Sequence, residues 1–77
     1  MAMWMPYKNH RIKACSQQLV ADRWMPMALA WFSAGSHESI KTIQGEMSEI
    51  CKAEGKANVI ALGKAKNWVD QQSIGSG

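Results

Sequence analysis

Two cysteines and two histidines are all the thiols and imidazoles that these 77 residues possess. Cys15 and Cys51 stand far apart, without the CxxC spacing of a zinc or redox site. His10 and His37 have no carboxylate or cysteine at ligand spacing. Ser16, Ser33 and Ser36 lack the glycines of a nucleophile elbow. The glycines are scattered, so no phosphate-cradling loop exists. Glu46 and Glu49 fall close together in a connection, where solvated acids are the ordinary reading. The expectation is a protein that is not an enzyme, with no catalytic residues, no metal site and no cofactor.

Long apolar runs are absent as well. The longest, Met25 to Phe32, is interrupted by Pro26 and falls well short of the roughly 18 residues a membrane span needs. Met1 to Pro6 has neither the charged start nor the apolar stretch of a secretory leader. The sequence therefore predicts a cytoplasmic protein with no membrane partner and with both thiols reduced.

What is present suits one small domain spanning residues 1–77. Hydrophobic residues make up 47% of the chain, enough for a core and too many for disorder. A domain of this size buries only about 60% of its unfolded surface, so each large apolar residue counts. The expected core draws on Trp24, Trp31, Trp68, Phe32, Leu29, Ile12 and Ile43.

The clearest pattern lies near the end. Ala57, Ala61, Leu62, Ala65, Trp68 and Val69 recur at the spacing of one helical face, which predicts a helix over 57–72. Trp68 is expected near the centre of that face and largely buried. Ser48 is the nearest good N-cap, and Glu54 suits a first turn. Gly63 sits mid-helix at a cost of about 1 kcal/mol against alanine. The alanines and Gly63 predict close packing against a sheet whose own residues are large.

Upstream, three strands are expected. Over Tyr7 to Ser16, His10, Ile12, Ala14 and Ser16 share one face, and Arg11, Lys13 and Cys15 share the other. Gln17 to Asp22 is expected to contain the turn, with Ala21-Asp22 at its tip. Arg23 to Ser33 is a second strand, apolar on both faces. Either a bulge near Pro26 switches its register, or its second face meets a partner. Ser33 to Ser36 is a turn, and His37 to Gly45 is a third strand, short or bulged because Ile40 and Ile43 break strict alternation. Ile50 is expected to plug the core from the connection that follows. The ends, about 1–6 and 73–77, are expected to be flexible. The fold class is α+β: a three-stranded antiparallel sheet with one C-terminal helix packed on one face.

This order of parts, with Trp24 in a strand, an isoleucine before a short connection, then Ala57, Ala61-Leu62, Ala65-Lys66 and Trp68-Val69-Asp70, resembles a family of small uncharacterised bacterial β-β-β-α domains. The resemblance covers roughly residues 7–71 and rests on core-packing positions. That family usually places Thr or Ser as the N-cap where Lys52 and Ala53 stand here. At the level of fold, such domains are similar to the arm-binding N-terminal domains of tyrosine recombinases and to double-stranded-RNA-binding domains. The resemblance implies a fold; analogy of fold alone carries little about function.

Charge is uneven. Residues 1–35 carry Lys8, Arg11, Lys13 and Arg23 against Asp22, whereas residues 36–77 balance five lysines with five acids. The whole net charge of +3 thus sits in the first half. Arg11 and Lys13 are expected to project from the sheet side opposite the helix, with Arg23 nearby and Gln17 and Gln18 adding amide donors. The recombinase resemblance implies that this face enters a major groove. Arg and Gln suit purine edges and Lys suits phosphates. The expected function is a small non-catalytic binding module with weak nucleic-acid binding through Arg11, Lys13, Gln17 and Arg23. The alternative is a protein-interaction module or homodimer that uses the apolar second strand.

Overall fold

The computed structural model describes residues 4–75. Six strands precede one helix: β1 (Met5–Tyr7), β2 (His10–Ala14), β3 (Gln17–Val20), β4 (Arg23–Met25), β5 (Met27–Ala34) and β6 (His37–Gln44), then a single 3-10 turn (Met47–Glu49) and α1 (Glu54–Gly75). The class is α+β with one helix on a sheet. The sheet is not three-stranded, however. It has four antiparallel strands in the order β1-β2-β5-β6, and β3 and β4 form a separate two-stranded ribbon.

The extra strands come from stretches read as irregular. Gln17–Val20, expected in the segment that contains the turn and not as a strand, pairs with β4 through its backbone although every side chain on it is exposed. The turn is confined to Ala21-Asp22, where the Gln18 side-chain amide donates to the Ala21 carbonyl at 3.1 Å. Met5 and Pro6, expected to be flexible, are instead paired to Ile12 and Arg11 in β1. Lys8, with φ 53°, turns the chain between β1 and β2. Residues 1–3 and 76–77, the remainder of the expected flexible ends apart from Trp4 and 73–75, lie outside the described residues.

Pro26 interrupts the second strand without bulging it. The pairs Arg11–Trp31 to Ala14–Ala28 on one side of the break and Gln17–Met25 with Gln18–Trp24 on the other keep one register. Continued through the break, that register sets Ser16 opposite Pro26, which has no N–H to give to the ladder. The irregularity lies further out, between Gln18 and Val20. The Pro26 carbonyl accepts from the Gly45 N–H at 2.8 Å. A Cβ at Gly45 would come within 3.1 Å of Pro26, so glycine permits this close approach. Beyond it, Cys51 takes over as backbone partner, exchanging hydrogen bonds with Trp24 at 2.7 and 2.9 Å.

β6 is neither short nor bulged. Its eight residues pair with β5 without a break. Ile40 and Ile43 simply serve opposite faces: Ile43 packs against the core, and Ile40 stands on the other side of the sheet.

The core is built from small residues. Ile12, Ala28, Ala30, Ala61, Ala65 and Val69 form its buried cluster. Ala57, Ala61, Ala65 and Val69 recur every four residues and are wholly or almost wholly buried, so they mark the contact line of α1. The strand residues beneath them are also small, Ala14, Ala28 and Ala30, which corrects the expectation of a large-residue sheet. Small residues on both surfaces let the helix approach the strands closely. Trp68 is half-buried at the margin of this line rather than at its centre, with its ring 5.8 Å from both Phe32 and His10. Of the other residues expected in the core, only Ile12 is fully buried.

α1 begins at Glu54, well past Ser48, which lies in the 3-10 turn and is not its N-cap. The Ala57 N–H donates to the Ala53 carbonyl at 3.2 Å. The far half of α1 is tied to the first hairpin by Asp70, whose carboxylate accepts from the Tyr7 hydroxyl at 3.0 and 3.1 Å and from Lys8 Nζ at 2.5 Å. Glu49 accepts from the Glu46 N–H at 2.8 Å and pairs with Lys64 of α1 at 2.9 Å. Cys15 and Cys51 are both free.

Candidate binding face

α1 covers one side of the sheet, and strand alternation dictates what stands on the other. Ile12 and Ala14 point to the helix, so Arg11 and Lys13 point away. Cross-strand pairing then builds the rest of the face. Pro6, Arg11, Trp31 and Ile40 form one row, each paired to the next. Lys13, Leu29 and Thr42 form the adjacent row.

Two cation–indole pairs organise this surface. The Arg11 guanidinium carbon lies 5.5 Å from the centroid of Trp31. Lys13 Nζ lies 5.5 Å from the centroid of Trp4. Such contacts hold the cations over the ring faces and are worth about 0.5–1 kcal/mol each at exposed sites. Trp4, Arg11 and Trp31 together line a small cleft of about 180 Å³. Ile40, 57% exposed, continues the face onto the edge strand. The face is therefore largely apolar and aromatic, with two positive charges set into it and the acid Glu38, opposite Ser33, further along its edge strand.

Of the four residues expected to bind nucleic acid, two come together here: Arg11 and Lys13. Gln17 and Arg23 lie outside the four-stranded sheet. They belong to the β3-β4 ribbon, at opposite ends of its pairing. Lys8, the other cation of the first hairpin, is paired with Asp70. The face thus sets two cations among aromatic rings. Sequence reasoning missed Trp4, Trp31 and Ile40 as members of this face. Leu29 and Trp31 share a strand parity, but only the pairing register sets them beside Lys13 and Arg11.

Elsewhere the ionisable groups serve the fold. Lys8 and the Tyr7 hydroxyl hold the Asp70 carboxyl below the usual carboxylate range, and Asp70 in turn raises Tyr7 and Lys8. The Glu46 N–H and Lys64 lower Glu49. Burial pushes the Cys15 thiol up, against the opposing charge of Lys13. His10 is packed between Phe32 and Trp68, at centroid distances of 5.5 and 5.8 Å. Among the described residues, no three His, Cys, Asp or Glu side chains gather as metal ligands, and no helix is long and apolar enough to cross a membrane. A second, broader concavity of about 610 Å³ lies along the start of α1, lined by Cys51, Ala53, Gly55, Lys56, Val59 and Ile60. Its walls are apolar, with Lys56 as the one charged member.

No family model matches the chain, and neither a curated protein nor a solved structure matches it. The chemistry of the exposed face therefore carries the functional argument by itself.

Proposed function

We propose that the protein is a small binding module that takes nucleic acid on the helix-free face of its sheet. The observation that carries this reading is the placement of Arg11 and Lys13 on that face, each over an indole. Phosphates meet the two cations, and the aromatic surface between them accommodates bases. Two cations neutralise few phosphates, so binding is weak and falls as salt rises. Fluorescence anisotropy with labelled DNA and RNA across a salt series tests it. Substituting both Arg11 and Lys13 by Gln lowers the affinity and removes about 1.4 to 1.8 from the log–log salt slope. Substituting Lys56, exposed on α1, changes neither. Absence of binding at low salt, or equal losses from both sets of substitutions, contradicts the proposal.

A second reading has its own observation. Ile40, on β6, is 57% exposed and pairs with Trp31 of β5, and among the described residues the outer edge of β6 has no strand partner. An unpaired edge that exposes an isoleucine suits a second copy of the chain or another protein. Sedimentation measurements on the wild type and on Ile40→Lys decide it: a dimer that Ile40→Lys dissociates favours this reading, and a monomer in both cases removes the homodimer.

A further inference from the structure

The cleft between Trp4, Arg11 and Trp31 combines aromatic rings with a positive charge. Its volume is about 180 Å³, two of its walls are indoles, and its charged wall is a guanidinium. We infer that this cleft is a subsite for a nucleobase, and that the open face prefers single-stranded nucleic acid to duplex. The inference rests on the binding reading given above and narrows its ligand.

Three considerations support it. The first is width. Adjacent strands lie about 4.8 Å apart, so four of them span about 14 Å between the outer pair. A major groove is about 12 Å wide and admits a helix or a two-stranded ribbon. The sheet face is too broad to enter, which argues against the groove-reading mode that the recombinase resemblance implies. The second is charge. Affinity for a duplex comes largely from its phosphates, and this face offers only Arg11 and Lys13 to meet them. The third is what the indoles can do. An unpaired base presents a π-face that stacks on an aromatic side chain, whereas a paired base is stacked on its neighbours.

The free protein holds its own cations over the rings that a base needs. Arg11 lies over Trp31 and Lys13 over Trp4. A base that enters the cleft displaces one of these cations from its indole and leaves it within reach of the same strand's phosphates. One cation–π contact is exchanged for a base stack and a charge-assisted phosphate contact. Both bonds of that exchange require a flexible strand that can turn a base inward while its backbone stays outside.

The test compares short oligothymidylate, oligouridylate and a DNA duplex of equal length by anisotropy at low salt, with intrinsic tryptophan fluorescence recorded in parallel. The expected result is tighter binding of either single strand than of the duplex, with quenching of the indoles. Trp31→Ala and Trp4→Ala each weaken single-strand binding at least about fivefold, the lower end of the measured range for losing one stack. Trp31→Phe, which keeps a ring and spares the sheet, retains most of it. Trp4, on the margin of the sheet, supplies the test should Trp31→Ala fail to fold. Duplex bound as tightly as single strands, with no loss from either tryptophan substitution, overturns the inference and leaves a basic face that binds backbone alone. No binding of any of the three ligands overturns the binding reading itself.

Discussion

Arg11 and Trp31 are direct cross-strand partners, and the guanidinium of one lies 5.5 Å from the ring centroid of the other. β2 and β5 thus present a cation and an indole as one unit on the face that α1 leaves open. The same strands turn Ile12 and Ala30, the next pair along, into the core. The open face and the core are consequently two sides of one register. A one-residue slip of β2 against β5 would exchange them and destroy both.

The core side gives the first prediction. Ile12 is the largest fully buried side chain among the described residues, and its buried neighbours are alanines and Val69, which are too small to fill the void its loss would leave. Ile12→Ala should cost about 2–5 kcal/mol. Total stability for a domain this small lies near the low end of the usual range of about 5–15 kcal/mol. Urea unfolding followed by tryptophan fluorescence should show the midpoint collapse toward zero denaturant. A variant within about 1 kcal/mol of wild type contradicts the packing described.

Gly63 offers the opposite effect. It sits within α1, its backbone is exposed, and a Cβ there meets nothing within 4 Å. Gly63→Ala should therefore stabilise the protein by up to about 1 kcal/mol through helix propensity and a less flexible unfolded chain. Thermal melts by circular dichroism read this as a rise in midpoint. A fall means that Gly63 has a packing role.

Asp70 links stability to pH. Lys8 and Tyr7 hold its folded-state pKa below the unfolded value. A depressed carboxylate contributes stability that is fully present above the unfolded pKa and is lost as pH falls through the folded one. Glu49 acts in the same direction. Stability should hence be flat near neutrality and decline on the acid side, below the ordinary carboxylate range. Asp70→Asn should lower stability at pH 7 and flatten part of that acid decline. An unchanged pH profile in Asp70→Asn removes the Tyr7–Asp70–Lys8 link from the account.

Parts of this architecture are legible in the sequence because side-chain burial writes them there. The face formed by Ala57, Ala61, Ala65 and Val69 follows helical period, and the alternation over His10–Ala14 correctly sends Arg11 and Lys13 to the open side. Other parts leave no such trace. Gln17–Val20 is a strand with no buried side chain, held by its backbone, so hydrophobic pattern has nothing to report. Met5–Tyr7 is too short and carries a proline, and it becomes a strand only because the edge of β2 is there to receive it. The aromatic residues misdirected the expected core: alanines fill the tight space beneath α1, Trp68 stands at its margin, and Trp31 faces the open side of the sheet. The candidate site was half legible for the same reason. Arg11 and Lys13 follow from local alternation, while their indole neighbours depend on a register between distant strands.

The measurement that tests the central claim most directly is a titration of the isotopically labelled protein with a short single-stranded oligonucleotide at low salt, followed by amide and indole N–H resonances. The account predicts that shifts gather on β1, β2, β5 and β6, with the largest at Arg11, Lys13 and the indoles of Trp4 and Trp31. It predicts little change along the exposed side of α1 or at the tip of the β3-β4 ribbon. Shifts centred on Gln17, Arg23 or the start of α1, or no shifts at all, contradict it.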